Sequence, residues 1–203
     1  MYSRLKKCLL FVFFLVISNN LFAQPTTIPL ELRAQFNGQF DYVVLGNTLN
    51  EFDNQSIPPP PCQILTQSSA TLNLQPNQNI IAAYLYWSGI GDGTFNSIVE
   101  INNNSNVADE INVVDPEQFG FAFYFGKISD VTELVVNQGN GIYTFSNLNL
   151  NSIIGTYCSS GVYHAGWSIL VVYEDNTLPT QQVNIYDGLA SVFGLGDNSS
   201  TTI

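Results

Sequence analysis

Short runs of apolar residues with a period of two, broken every 8–15 residues by Asn, Gly, Asp or Pro, set the rhythm of this chain. Runs rich in Val, Ile, Tyr, Phe and Thr favour the pleated, half-buried surface of a sheet. They predict strands over 41–45, 70–74, 80–87, 97–102, 107–113, 121–128, 141–146, 167–174 and 182–186. Two of these are apolar on both faces and are therefore expected to lie in the middle of a covered sheet. One is Ile169-Leu170-Val171-Val172-Tyr173. The other places Ala83, Leu85 and Trp87 on one side and Tyr84 and Tyr86 on the other. Val183 and Ile185 alternate with Asn184 and Tyr186, the pattern of a strand with one wet face. Phe119, Phe121, Phe123 and Phe125 alternate with Gly120, Ala122, Tyr124 and Gly126. They are expected to fill one core layer, the other reading being an exposed aromatic ridge.

Apolar spacing of 3.6 residues does not extend beyond a turn or two anywhere. The one helical candidate is Asp130-Val131-Thr132-Glu133, where Asp130 and Glu133 have the spacing of a capping box. The proline tract 58–61 cannot sit inside a sheet and predicts a stiff loop leading to Cys62. A glycine cluster at Gly89, Gly91 and Gly93 predicts a tight turn after strand 80–87. Together these elements predict an all-β fold, an antiparallel, jelly-roll-like β-sandwich with at most one or two short helical turns. The expected organisation is an irregular leader or edge strand over 24–40, the sandwich over 41–193, and a polar tail over 194–203. That tail shows no closing strand or sorting sequence, so a longer polypeptide is expected.

Residues 1–23 change the picture. Arg4, Lys6 and Lys7 precede the apolar run from Cys8 to Ile17, and Asn19-Asn20-Leu21-Phe22-Ala23 follows. This is the layout of a secretory signal peptide cleaved after about Ala23. The run is short for a membrane anchor, which needs ~20 apolar residues. No second long apolar run follows, so the product is expected to be secreted or displayed at the cell surface, with no membrane span. The whole chain carries 16 acidic and 5 basic residues. Past Ala23 only Arg33 and Lys127 remain against all 16 acids, a formal charge of −14. Such a balance cannot neutralise a run of phosphates and argues against nucleic acid as a partner.

Two cysteines, Cys62 and Cys158, lie past the leader. In an oxidising compartment they are expected to form a disulfide, with two buried thiols as the alternative. Catalytic chemistry is hard to assemble. The only histidine is His164, and Ser168 lacks the glycine framing of a nucleophile elbow. Zinc needs more His or Cys ligands than the chain offers. Calcium suits the oxygen-rich loops better, with Asp92, Asp187 and Asp197 as candidate ligands, although no D-x-D-x-D-G loop is present. Tyr84, Tyr86 and Trp167 are candidates for an aromatic sugar platform, with core packing as the competing role.

Several segments occur in an order that resembles a known family. They are Ala83-Tyr84-Leu85-Tyr86-Trp87-Ser88-Gly89, Asp130-Val131-Thr132, Gly139-Asn140-Gly141-Ile142-Tyr143-Thr144, the run from Ala165 to Glu174, and Asn184-Ile185-Tyr186-Asp187-Gly188. The pattern is similar to the N-terminal region of large secreted surface proteins of Bacteroidota. Such proteins often end in a gliding-motility-associated C-terminal domain that directs type IX secretion. The resemblance implies an extracellular β-rich module, adhesive or architectural, facing a protein or glycan surface. The segment beginning Asp130-Val131-Thr132 is also similar to galactose-binding-like jelly rolls, a likeness of fold. The expected function is therefore a non-catalytic surface module for adhesion or surface architecture. The alternative is a carbohydrate-binding module of a larger secreted protein.

Overall fold

The computed structural model describes residues 28–53, 61–91, 98–114, 123–157 and 163–189, with only the backbone at 107, 110–114 and 123. In chain order these form β1 (Ile28–Gly38), β2 (Phe40–Thr48), β3 (Gln67–Leu72), β4 (Asn79–Gly91), β5 (Ile98–Ile101), β6 (Asn104–Val107) and β7 (Glu110–Val114). Then come β8 (Phe123–Asp130), α1 (Thr132–Gln138), β9 (Gly141–Ser146), α2 (Asn151–Ile154), β10 (Ala165–Glu174) and β11 (Gln181–Leu189). Every strand pairing is antiparallel. A five-stranded sheet in the order β2-β10-β4-β8-β7 packs on a four-stranded sheet in the order β3-β9-β5-β6. The chain shuttles between the two sheets, so the fold is an all-β antiparallel sandwich of the kind the alternation predicts.

One face of the five-stranded sheet meets the four-stranded sheet across a core that includes Leu45, Leu85, Trp87, Phe125, Phe145, Trp167, Ile169 and Val171. The other face is covered in part by a third layer, the two-stranded ribbon of β1 and β11. Ala82, Tyr84, Val172 and Ile185 form a second, smaller core there, with Ala34 and Phe36 packed against it. These two cores explain why β4 and β10 are apolar on both sides. Of the two readings of the leader, residues 28–38 take the strand.

Several local expectations change. The predicted strand 107–113 divides between β6 and β7, which belong to different sheets. The break falls at Ala108-Asp109, where the Asp109 N–H donates to the Ile128 carbonyl and its carboxylate accepts from the Asp130 N–H at 2.6 Å. That second bond uses the donor a capping box requires. Asp130 instead accepts from the Thr132 N–H at 2.9 Å, and the helix begins behind Val131 with no side-chain cap. Gly89 is not in a turn, because β4 runs on to Gly91. A Cβ at Gly89 would stand 2.8 Å from Leu150 Cδ1 and 3.0 Å from Phe125 Cζ, so close packing and not chain reversal demands glycine. The short α2 was not expected. It seats Ile154 in the core, and the Asn151 side chain accepts from the Ile64 N–H at 3.0 Å. Of the four alternating phenylalanines Phe125 is buried; Phe119, Phe121 and the Phe123 side chain lie outside the described residues, as does most of the proline tract.

Candidate functional site

Strand register builds a groove from residues far apart in sequence. Across the outer face of the five-stranded sheet, Thr48, Gly166, Ser88 and Gly126 stand side by side on β2, β10, β4 and β8. The next outward row is Gly46, Ser168, Tyr86 and Ile128. Most of these side chains are small, so the sheet surface is low where the ribbon ends. Leu30 of β1 and Tyr186, Asp187 and Leu189 of β11 wall the resulting groove, whose volume is about 550 Å³. Leu189 overhangs the floor, its Cδ1 lying 3.6 Å from where a Cβ on Gly126 would be.

A charged clasp holds the ribbon beside this groove. The β1–β11 register slips by one residue between Leu32 and Ala34, a bulge of the kind that re-aims a side chain. Leu32 stays exposed beside Tyr186, while Arg33 turns inward. Its Nε donates to Asp187 Oδ2, and its guanidinium lies 5.7 Å from the centre of the Tyr84 ring. The Tyr86 hydroxyl donates to the other carboxylate oxygen, Asp187 Oδ1, at 2.8 Å. Arg33 and Asp187 side chains keep only 15% and 7% of their exposure. Burial, then the nearby Asp130 charge, pushes the Tyr84 hydroxyl pKa up, and Arg33 pulls it partly back.

The sequence candidates separate accordingly. Tyr86 borders the groove. Tyr84 is buried in the second core. Trp167 faces the main core, where its ring stacks on Phe145 and its Nε1 donates to Ser68 Oγ at 2.8 Å; its indole face is therefore not open as a platform. Among the calcium candidates, Asp187 is engaged by Arg33 and Tyr86, and Asp92 and Asp197 lie outside the described residues. No group of three His, Cys, Asp or Glu able to hold a metal occurs among the described residues. His164 stacks on Tyr124 with ring centroids 5.7 Å apart, and its carbonyl accepts from the Ile90 N–H. Cys62 Sγ lies 3.6 Å from the Ile154 carbonyl oxygen; Cys158 lies outside the described residues.

Sequence reasoning missed the groove and the clasp. The only signal in the sequence is that Gly46, Ser88, Gly126, Gly166 and Ser168 interrupt otherwise bulky strands. Nothing in the linear order says that they converge. A second, polar groove of about 560 Å³ runs between β6 and α1 and is lined by Asn104, Asn106, Asp130, Glu133 and Gln138 among others. No protein-family model matches the chain, and neither a curated protein nor a solved structure matches it.

Proposed function

We propose that this chain is a non-catalytic, extracellular β-sandwich module used in adhesion or surface architecture. The observation that carries the reading is the groove beside the ribbon. It offers a concave contact surface on a rigid sheet, the usual setting of a binding site. Among the described residues its only carboxylate is Asp187, already paired with Arg33, and no histidine or cysteine lines it.

The leader sequence supports export, and no helix among the described residues is long and apolar enough to cross a membrane. The resemblance to the N-terminal regions of secreted Bacteroidota surface proteins, with export by the type IX route, belongs to the same proposal. Its longest matching segment, from Ala165 to Glu174, is the strand β10. A disulfide between Cys62 and Cys158 completes it. The Cys62 sulfur lies beside the Ile154 carbonyl, four residues before Cys158 in the chain.

The test applies labelled residues 24–203 to intact bacterial and eukaryotic cells and to purified extracellular polysaccharide. Saturable retention, above that of an acidic control protein of similar charge, is expected. Retention no greater than the control, or turnover of ester, peptide or glycoside substrates, would overturn the reading.

A further inference from the structure

The groove carries a more specific conclusion, which rests on reading the chain as a surface-recognition module. We propose that it binds a neutral, hydroxyl-rich saccharide chain laid across β10, β4 and β8 beside the ribbon. Its volume of about 550 Å³ falls within the range of roughly 300–1,000 Å³ that holds small ligands. Its walls and floor supply the two contacts a pyranose requires. Tyr186, 54% exposed, and Leu30 and Leu189 offer apolar surface for the C–H face of a ring. Ser88 and Ser168 lie on adjacent strands of the floor, half-buried, and their hydroxyls have no hydrogen-bond partner among the described residues. Each presents one donor and two acceptor positions. Asp187 accepts one bond from Arg33 and one from Tyr86. A carboxylate has about four lone-pair sites, so Asp187 retains capacity for ligand hydroxyls at the groove edge.

Charge decides between ligand classes. Past residue 23 the only basic side chains are Arg33 and Lys127. Arg33 is folded onto Asp187, and Lys127 is 1% exposed on the opposite side of the sheet, beside Phe125. A sulfated or uronate chain would thus meet only acids on the exterior, with no cation to receive it. A cationic peptide gains nothing in the groove, because the one carboxylate lining it is already neutralised by Arg33. A lipid chain would cover the Ser88 and Ser168 hydroxyls without satisfying them, which costs free energy. An uncharged polyol chain meets none of these penalties.

The experiment titrates residues 24–203 with neutral hexasaccharides (malto-, cello-, xylo-, manno- and galacto-series) and with a heparin-derived hexasaccharide. Calorimetry and saturation-transfer NMR read the binding. Ser168→Phe fills the groove floor, Tyr186→Ala removes the wall, and Gln182→Ala, distant on the same strand, serves as control. Circular dichroism and melting temperature verify the fold of each variant. At least one neutral hexasaccharide is expected to bind, with at least tenfold weaker binding in Ser168→Phe and Tyr186→Ala and no change in Gln182→Ala. Equal or tighter binding of the heparin fragment overturns the proposal, as does neutral-sugar binding indifferent to both groove variants. No sugar binding in a protein still retained on cells overturns the saccharide assignment alone and leaves the surface-module reading standing.

Discussion

The indole of Trp167 lies flat against the ring of Phe145, with centroids 5.5 Å apart and planes within 9° of each other. One ring comes from the five-stranded sheet and the other from the four-stranded sheet, so the contact joins the two layers of the sandwich. Both side chains are buried, and the Trp167 Nε1–H also reaches Ser68 of β3. Trp167→Ala is expected to cost about 3–5 kcal/mol through lost burial and the cavity left behind. A double-mutant cycle with Phe145→Leu should give a coupling of about 0.5–1.5 kcal/mol beyond area effects. Urea unfolding followed by far-UV circular dichroism measures both, and additive single-variant effects would show that the stack contributes no coupling.

The clasp makes the ribbon sensitive to a single side chain. Arg33→Ala leaves the Asp187 carboxylate buried without its guanidinium, and breaking a buried pair on one side costs about 3–5 kcal/mol. Because the pair is shielded, that loss should change little between 0.05 and 1 M salt, unlike that of an exposed pair. Hydrogen exchange should localise the loosening to β1 and β11, leaving β10 and β4 protected. Uniformly faster exchange throughout the sandwich would contradict a ribbon that opens separately.

Acid should act through Asp175. Its carboxylate accepts from the Thr177 hydroxyl at 2.7 Å and the Thr177 N–H at 3.0 Å, and from Asn77 and Gln78 side chains at 2.7 and 3.4 Å. The bonds to Thr177 are the main cause holding its pKa below the ordinary 3.8. A depressed folded-state pKa adds stability that is complete above the unfolded value and is lost as pH falls through the folded one. Stability should therefore drop as pH falls below about 4. Asp175→Asn should be less stable than the native chain at pH 6 and show a shallower acid decline. Parallel pH profiles of the two would refute the assignment.

Lys127 predicts a second rise of stability with pH, at alkaline pH. Burial lowers its pKa from 10.5 to about 8, so between those values the unfolded chain binds a proton that the folded chain has released. Stability should rise with pH through that window. Above pH 10 the trend reverses, because burial raises Tyr143 to about 12 and its unfolded form ionises first. Lys127→Met should flatten the rise between pH 8 and 10 and leave the later decline intact. Guanidinium midpoints from pH 7 to 11 resolve the two limbs; an unchanged rise in Lys127→Met would assign it to another group.

The proposed Cys62–Cys158 bond closes a loop of roughly 100 residues and is expected to contribute about 4 kcal/mol in the chain-entropy account. Reduction, or Cys62→Ser, should lower the unfolding midpoint accordingly. Mass spectrometry of native material alkylated without reductant should show neither sulfur modified, and two alkylated thiols would remove the cross-link.

Much of the sandwich is legible because burial writes alternation into the sequence. The strand expected over 141–146 coincides with β9, and β4 and β10 announce their central places by being apolar on both faces. The leader strand β1 is harder to read, since its register slips between Ile28 and Glu31 and again between Leu32 and Ala34. Those bulges break the period of two on which the reading depends. Helix α2 has four residues, too few for a 3.6-residue period to appear. The groove is least legible of all. Ser88, Gly126, Gly166 and Ser168 are unremarkable singly, and only strand pairing makes them neighbours. The clasp needs the same information, because Arg33 and Asp187 are separated by 154 positions.

In the proposed exported form, which would keep only Arg33 and Lys127 as basic residues, turning both inward also bears on how copies of this domain would sit beside one another. Two such neighbours approaching within a Debye length, about 8 Å at physiological ionic strength, would repel through their net negative charge, with no exposed lysine or arginine patch to bridge them. A densely decorated surface would then be a lawn of self-spacing particles, held apart by their own counterion clouds, collapsing toward contact only as salt rises.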